Sequence, residues 1–335
     1  MKKNLFIIFL LLIAGVGFIF YKERNLQHPL EKVSIRFNWV HNAQFTGMYV
    51  AKEKGFYQDE GLDVNLKQFE DGLDQGKELA DQKVTFTDFT AVELLSSIAK
   101  GERLKAIAAI YQTSPLVFIS LKTTNIVSPK DFKGKILGAK GGNFQAKLIY
   151  QTIANNYGVL PSNYTLKDLD FSVDEGDDIV QKRADMVDIY RTDQIYFLDQ
   201  RHISYNVLYP ENFGYQTYGD IIATSQDEIA NNPDQVRRFV RATQKGWAYA
   251  LANMPEALAI TKKYEDKLYN DPMHEAYILS HSAPLIMPTG GQAIGAMNII
   301  TWTNAINAMK AEGVIQTSID TADVYTAQFL ARTSK

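Results

Sequence analysis

Hydrophobic and polar positions alternate at the start of the first clear structural unit of the chain. Apolar residues at every second position from Val33 to Phe37 predict a β-strand. A polar loop with aromatic edges follows at residues 38–42, and Asn42 can cap the helix after it. Gly55 has the position of a helix C-terminal glycine, and residues 62–64 re-enter a strand. The pattern predicts a strand, a loop of ligand size, a helix and a strand.

A second junction repeats this arrangement. A strand is predicted at 83–88, and a helix at 91–101 begins directly after Thr90. In open α/β sheets, small molecules bind at the carboxyl ends of strands, opposite helix N-termini. We therefore expect the two junctions to face one binding crevice.

Strands and helices continue to alternate up to about Asp227, after which helices dominate. The other predicted strands are 62–69, 104–111, 116–121, 136–139, 166–171 and 184–190. The other predicted helices are 74–81, 141–157, 178–185, 191–200, 231–252, 254–264, one from Asp271, 293–312 and 322–333. This order predicts an α/β protein with parallel sheets that carry helices on both faces. Two crossings, near 116–122 and near 209–218, would divide it into a discontinuous first lobe (33–116 and 216–335) and a second lobe (117–215).

The N-terminal segment 1–31 has the composition of an export signal or a membrane anchor. Basic residues at Lys2 and Lys3 precede an apolar run at 5–21, and residues 22–31 form a polar tether. The run is at the short end of the roughly 17–25 residues that span a bilayer. Small residues near Ala14 permit cleavage, whereas the apolar run continues beyond them, so both alternatives stay open. Either one predicts a folded part outside the cytoplasmic membrane.

Composition excludes several classes of function. The 335 residues include no cysteine, which removes disulfides, thiolate zinc sites, cysteine nucleophiles and a lipid-modified cysteine. The formal charge of −3 gives no broad electrostatic footprint for nucleic acid. No catalytic triad, metal-ligand cluster or phosphate-binding loop of the usual spacing is recognisable. We therefore predict no cofactor, no metal and no nucleic-acid partner.

The run W-x-x-N-x-x-F-x-G-x-Y-x-A-x-x-x-G-x-Y-x-x-x-G-L-D-V, which begins at Trp39, resembles a known family. It is similar to the first βαβ unit of ABC-importer substrate-binding proteins, especially those that bind pyrimidine precursors of thiamine and their alkanesulfonate- and taurine-binding relatives. The likeness extends more weakly from Val33 to Ala331. It implies the type II periplasmic-binding-protein fold, with two doubly wound lobes, two crossings and a helical C-terminal part. It also implies hinge closure on a small molecule, an ABC permease as partner, and a monomer.

Candidate ligand contacts lie where the predicted strands and loops meet the crevice. Aromatic rings stack on flat heterocycles, carboxylates and amides pair with their edges, and a glycine turn offers backbone N–H groups. On these grounds the candidates are Trp39, Asn42, Gln44, Tyr49, Asp88, Thr90, Tyr111, Gln112, Gly141, Gly142, Asn143, Asp188, Tyr190 and Tyr218.

Most of these residues have a structural alternative. Asn42 and Asp88 are also placed as helix caps, and Tyr49 is also suited to a helix face in the core. His41 lacks a carboxylate partner nearby in sequence, which favours a surface or capping role over catalysis. The acidic residues Glu175, Asp177 and Asp178 are most simply a solvated loop.

The leading hypothesis is a non-enzymatic extracytoplasmic protein that delivers a heterocycle similar to a thiamine pyrimidine precursor to an ABC permease. An alkanesulfonate or taurine ligand is the nearest alternative, although the cleft loops lack arginine apart from Arg191. An uncleaved anchor would also fit a membrane-anchored ligand sensor. The family resembled includes a pyrimidine synthase with a cysteine-rich motif, but a chain without cysteine does not match that motif.

Overall fold

Two five-stranded sheets form the centre of the protein. The computed structural model describes residues 29–170, 176–288 and 291–331. The first sheet has the order β2-β1-β3-β10-β4 and the second the order β7-β6-β8-β5-β9. The strands are β1 Glu31–Arg36, β2 Leu62–Lys67, β3 Phe86–Phe89, β4 Leu104–Ala109, β5 Leu116–Leu121, β6 Ile136–Lys140, β7 Thr165–Leu169, β8 Met186–Tyr190, β9 Tyr205–Leu208 and β10 Ile221–Ser225.

Thirteen α-helices accompany the strands within the described residues. They are α1 Thr46–Glu53, α2 Phe56–Asp59, α3 Gln75–Ala80, α4 Ala91–Ala99, α5 Phe144–Asn156, α6 Asp177–Val180, α7 Ile195–Gln200, α8 Gln226–Asn231, α9 Pro233–Ala252, α10 Met254–Thr261, α11 Pro272–Ile286, α12 Ile299–Ala311 and α13 Thr321–Val324. We call the first sheet with α1–α4 and α8–α13 the first lobe, and the second sheet with α5–α7 the second lobe.

Both sheets bury apolar side chains on both faces. In the first lobe, one core packs β1 against α1 and α9, and the other packs β4 against α4 and α12. In the second lobe, α5 covers one face of the sheet, and α6 and α7 cover the other. Because each layer of helices removes one face of a sheet from water, this is the doubly wound architecture expected from the sequence.

The sheets are mixed, so the prediction of purely parallel sheets is wrong at two strands. β10 runs antiparallel to β3 and β4, and β5 runs antiparallel to β8 and β9. β5 is the first strand that the chain forms when it enters the second sheet. β10 is the first strand that it forms when it returns to the first sheet. A parallel neighbour needs a long crossover connection, and these strands arrive without one.

The segment 116–122 is not a crossing. Residues Leu116–Leu121 form β5 and pair with β8 and β9 in the second sheet. The chain therefore leaves the first sheet after Ala109 and returns to it at Ile221. The lobe boundaries that the sequence suggests stay a prediction, since sheet membership does not fix where an independent unit ends.

Several predicted elements differ from those observed. The predicted helix at 322–333 is reduced to α13, because Thr326 turns its backbone N–H to the carbonyl of Ala106. β9 and α8 are additional elements. The segment 176–178 is not simply solvated, since Asp178 is buried and accepts a 2.6 Å hydrogen bond from Arg183. No helix in the described part is long and apolar enough to cross a membrane, and the predicted signal or anchor at 1–28 and Glu175 lie outside the described residues.

Candidate ligand-binding site

A cavity of about 290 Å³ lies between the two lobes, at the carboxyl ends of β1, β3, β6 and β8. Its first-lobe wall consists of Asn38, Trp39, Gln44, Phe69, Thr90 and Glu93. Its second-lobe wall consists of Lys140, Asn143, Gln145, Asp188, Ile189, Tyr190, Asp193 and Gln194. Strand ends and helix starts supply these residues, which is the usual location of a ligand crevice in α/β sheets.

An aromatic corner forms one part of the cavity. The rings of Trp39 and Phe69 lie 5.9 Å apart at an angle of 31°, and the backbone N–H of Phe69 donates to the carbonyl of Trp39. The indole Nε1 of Trp39 donates a 2.9 Å hydrogen bond to the hydroxyl of Tyr269. These contacts fix the indole plane, so a flat ring could stack on it at little cost in side-chain entropy.

Paired amides lie beneath this corner and hold a buried carboxylate. The Gln44 and Asn38 amide nitrogens both donate to Oδ1 of Asp220, at 2.9 and 3.2 Å. The amide nitrogen of Gln44 also donates to the side-chain oxygen Oδ1 of Asn38 at 3.2 Å. Burial raises the pKa of Asp220 to about 7, and burial together with the nearby Asp220 raises the pKa of Asp88 well above its usual range. The carboxyl groups of Asp220 and Asp88 therefore keep their protons at a higher pH than exposed carboxyl groups do.

The start of α4 presents a further carboxylate. Oε2 of Glu93 accepts hydrogen bonds from the backbone N–H of Thr90 at 2.8 Å and from its hydroxyl at 2.9 Å, which completes a capping box. The Oε1 atom of Glu93 has no partner among the described residues, and the side chain is open to the cavity. Desolvation by the surrounding protein raises the pKa of this carboxyl group.

The second lobe contributes Asp188 at the end of β8. Its carboxylate accepts the backbone N–H of Lys140 at 2.9 Å and the amide of Asn143 at 2.8 Å. Asn143 in turn caps α5, because its side-chain oxygen accepts from the backbone N–H of Ala146. Burial raises the pKa of Asp188, although these two hydrogen bonds oppose the effect. The neighbouring helix therefore holds this carboxylate in a defined orientation.

Asp193 joins the lobes beside the cavity. Its Oδ1 lies 2.6 Å from Nε2 of His274, and its Oδ2 accepts a 3.0 Å hydrogen bond from Tyr269. Both partners belong to the first lobe, and Tyr269 also accepts from Trp39. A chain of hydrogen bonds therefore links the aromatic corner to the contact between lobes.

The cavity is rich in hydrogen-bond acceptors. Three carboxylates line it (Glu93, Asp188 and Asp193), whereas Lys140 is the one lining cation among the residues the structure describes. Arg191, the candidate cleft arginine, instead donates to Glu211 at 2.8 Å. Such a site favours a neutral or cationic ligand with N–H or O–H donors over an anion.

The family model for "NMT1/THI5 like" proteins matches residues 42–257, about two thirds of the chain. The chain belongs to the NMT1/THI5-like family. This match begins after the lining residues Asn38 and Trp39, but it includes Gln44, the start of α4 and the end of β8, which also line the cavity.

Three curated relatives and one solved structure are similar over most of the chain. The riboflavin-binding protein RibY of Chloroflexus aurantiacus is 25% identical, covering 91% of this chain and 88% of its own. The formylaminopyrimidine-binding protein of Halalkalibacterium halodurans is 25% identical over 82% and 86%. The 4-amino-5-hydroxymethyl-2-methylpyrimidine phosphate synthase of Legionella pneumophila is 23% identical over 90% and 93%. The periplasmic aliphatic sulphonate binding protein SsuA of Escherichia coli matches with a TM-score of 0.68 and 13% identity over 88% and 91%, which confirms the periplasmic-binding-protein fold expected from the sequence.

The structure brings six of the sequence-predicted candidates together in this NMT1/THI5-like chain. They are Trp39, Gln44, Thr90, Asn143, Asp188 and Tyr190. Their contact with a ligand stays a prediction.

The other eight candidates do not line the cavity, and most have partners elsewhere. Asn42 accepts from the backbone N–H of Gln44 as a cap, and Tyr49 bonds to His41 at 2.9 Å. The further contacts are Tyr111 with Ser282 at 2.6 Å, Gln112 with the carbonyls of Ile286 and Ala293, and Tyr218 with the N–H of Asn298 at 2.7 Å. Asp88 is fully buried behind the cavity, and Gly141 and Gly142 have positive φ angles of 60° and 68° in the turn before α5. His41 is half-buried, and desolvation lowers its pKa.

Eight lining residues were not predicted from the sequence. They are Asn38, Phe69, Glu93, Lys140, Gln145, Ile189, Asp193 and Gln194. The Thr90-x-x-Glu93 spacing is a recognisable capping box and could have indicated Glu93. Lys140 and Gln145 flank the predicted Gly-Gly-Asn turn, whereas no local pattern distinguishes Phe69 or Asp193.

Proposed function

We propose that this protein captures a planar nitrogen heterocycle of the pyrimidine type between its lobes, outside the cytoplasmic membrane, and delivers it to an ABC permease. The observation that carries the proposal is the combination in one cavity of an aromatic corner and three carboxylates. A ring with amino or ring N–H groups can stack on Trp39 while its edge donates to Asp188 or Glu93. Stacking supplies affinity, and the carboxylates supply orientation.

The same chemistry disfavours an alkanesulfonate or taurine as ligand. A sulfonate needs arginine, hydroxyl or backbone N–H donors around its three oxygens. Arginine is absent from the described cavity lining, and Arg191 is engaged by Glu211. An anion would also face Glu93 and Asp188 without enough compensating charge. We therefore expect that the resemblance in fold to a sulphonate-binding protein does not extend to the ligand.

The names of the relatives support a pyrimidine-type ring. Riboflavin contains a pyrimidine ring within its fused system, and formylaminopyrimidine is itself one. The two ligands share a flat face and an edge of ring nitrogens, which is the chemistry that the cavity matches. They differ in size, and the leading proposal is limited to the ring that they share.

Binding without catalysis fits the residues better than synthesis does. Some family members are named as pyrimidine synthases. The family that the sequence resembles includes a synthase with a cysteine-rich motif, and this chain has no cysteine. Each cavity carboxylate is also held by other protein groups: Glu93 by its capping box, Asp188 by donors from β6 and the start of α5, and Asp193 by an interlobe contact. These contacts suit ligand orientation.

A permease partner distinguishes this proposal from a membrane-anchored sensor. Affinity purification of the full chain from its native membranes is expected to recover the membrane subunits of an ABC importer. Recovery of a kinase or cyclase instead would favour the sensor. Recovery of neither would count against both alternatives.

A thermal-shift panel tests the ligand class. We expect 4-amino-5-hydroxymethyl-2-methylpyrimidine, formylaminopyrimidine or riboflavin to raise the melting temperature, whereas taurine, alkanesulfonates and amino acids do not. A ligand present at about 100 times its Kd stabilises the folded state by about 2.7 kcal/mol, which is readily measured. Stabilisation by taurine alone would overturn the proposal.

A further inference from the structure

The interlobe cleft continues past the cavity into a second space of about 320 Å³. Five residues line both spaces: Asn38, Phe69, Glu93, Asn143 and Gln145. The two spaces are therefore adjoining parts of one cleft. We call the second part the outer compartment, defined by the residues that line it alone: Leu73, Asp74, Gln75, Gly76, Phe89, Val92, Ser96, Ser97, Lys100 and Phe144.

Apolar side chains form its walls. Phe89 and Val92 are buried behind it, and Phe144 approaches from the second lobe. The Phe144 side chain is 48% exposed although it stands at the first position of α5. The ring of Phe144 therefore adds apolar surface at the edge of this space.

The polar atoms of the outer compartment mainly accept hydrogen bonds. The hydroxyl groups of Ser96 and Ser97 donate to the carbonyls of Val92 and Glu93, at 2.7 and 3.0 Å, which leaves their oxygens as acceptors. The amide nitrogen of Gln75 donates to the carbonyl of Phe37 at 2.9 Å, and its Oε1 atom remains available. A substituent that donates hydrogen bonds matches this set.

Gln145 stands at the junction of the two spaces and lacks a partner. Its side chain is only 8% exposed, and its amide makes no hydrogen bond to any residue in the described ranges. Neither polar atom of this amide is sealed off from the cleft, so both are available to hydrogen-bond a ligand there. A ligand that extends through the junction would satisfy both ends of this amide.

We propose that the outer compartment binds a polyhydroxylated chain attached to the heterocycle, with Gln145 contacting the point of attachment. This inference rests on the proposed function, since the ring occupies the adjoining cavity. The hydroxyl groups donate to Ser96, Ser97 and Gln75, and the carbon skeleton packs on Val92 and Phe144. A negatively charged substituent fits less well, because Glu93 and Asp74 face the same space and Lys100 lies 3.7 Å from Asp74.

Matched ligands separate the ring from the chain. Calorimetry compares riboflavin with lumiflavin, in which a methyl group replaces the hydroxylated chain, and cytidine with 1-methylcytosine. We compare the two members of whichever pair has a ring that the wild-type protein binds. In that pair we expect the ligand with the hydroxylated chain to bind at least about tenfold more tightly than the truncated ligand. The variant Ser96→Leu fills the outer compartment, and we expect it to abolish this difference while the affinity of the truncated ligand is unchanged.

Ser280→Leu is the matched control. The Ser280 hydroxyl also donates to a carbonyl of its own helix, that of Tyr277, and it is exposed outside the cleft. We expect wild-type affinities for this variant. Two results would overturn the role of the outer compartment while the proposed function stands. One is equal affinity of the wild-type protein for the truncated and extended ligands. The other is an equal loss of affinity for both ligands in Ser96→Leu. Binding of neither ring would contradict the proposed function and, with it, this inference.

Discussion

At the scale of single residues, Asp188 is a cavity carboxylate that neighbouring donors already hold in position to accept a hydrogen bond from a ligand. Backbone and side-chain donors from Lys140 and Asn143 hold it at the end of β8, and it lines the cavity. We expect Asp188→Asn to weaken binding of an aminopyrimidine at least about tenfold, because hydrogen bonds to a charged group contribute about 1.5–3 kcal/mol. Isothermal titration calorimetry measures the change.

Asp185→Asn is the matched control for this prediction. Asp185 lies just before the same strand and also accepts a backbone N–H of β6, that of Ile136 at 2.8 Å, but it does not line the cavity. We expect this variant to lose stability and keep its affinity. Equal affinities of the Asp188→Asn variant and the wild-type protein would remove Asp188 from the site.

Glu275 offers a prediction on pH. Its side chain is 1% exposed, and burial, reinforced by nearby carboxylates such as Glu265, raises its pKa from 4.5 to about 9. Because the folded state holds this proton more tightly than the unfolded state, the resulting stabilisation is complete below about pH 4.5 and is lost as the pH rises towards 9. Glu275→Gln resembles the protonated form and does not titrate.

Urea unfolding of both proteins between pH 5 and pH 8 tests this prediction. We expect the wild-type protein to lose about 4 kcal/mol of unfolding free energy relative to Glu275→Gln over that range. If the difference in unfolding free energy between the two proteins did not change from pH 5 to pH 8, Glu275 would be ionised over that whole range.

At the scale of elements, α1, the helix that follows the loop carrying Trp39, packs closely against α9. Gly47 on α1 lies against the indole of Trp247 on α9, where an added Cβ would meet a ring atom at 2.1 Å. We expect Gly47→Ala to lower the unfolding free energy by about 1–3 kcal/mol through overpacking. Chemical denaturation measures the effect.

A double-mutant cycle identifies the cause. If the indole is responsible, Trp247→Leu should relieve part of the cost of Gly47→Ala, so the double variant is more stable than the sum of the single changes predicts. Strict additivity would show that the two positions do not conflict.

The spacing of apolar residues predicted most helices and strands, because most of them bury one face. The strand at β1 and the helix after Asn42 follow their patterns closely. α8 has no buried residue, so it has no apolar period to detect. β9 was missed because three of its four residues are only half-buried at the edge of the second sheet.

The sequence indicated cavity-lining residues where their placement depends on local structure, and missed them where it depends on distant contacts. The strand ends at Trp39 and Asp188 are visible in the sequence. Tyr111 faces Ser282, 171 residues away, and nothing near Tyr111 indicates that partner. Asp193 similarly depends on His274 and Tyr269, which lie 81 and 76 residues away in the sequence and are brought near only by the contact between the lobes.

At the scale of the whole molecule, we expect the contact between Asp193 and His274 to connect lobe closure to binding. His274 does not line the cavity, yet it holds Asp193 across the cleft. We expect His274→Gln to weaken ligand binding about tenfold, since closing a hydrogen-bonded cleft supplies part of the affinity. Small-angle scattering of the variant without ligand should give a larger radius of gyration than that of the wild-type protein. Unchanged scattering together with unchanged affinity would exclude this role.

The central claim is that a flat heterocycle stacks on Trp39 between two lobes, and calorimetry of the Trp39→Ala variant tests it most directly. An aminopyrimidine, riboflavin and taurine are titrated into the wild-type protein, Trp39→Ala, and Tyr157→Ala as an aromatic control outside the cavity. We predict that a heterocycle binds and taurine does not, and that Trp39→Ala weakens binding at least about thirtyfold, as loss of a central aromatic anchor of about 2–4 kcal/mol requires. We predict no change for Tyr157→Ala. Unchanged affinity in Trp39→Ala, or tighter binding of taurine than of any heterocycle, would contradict the claim.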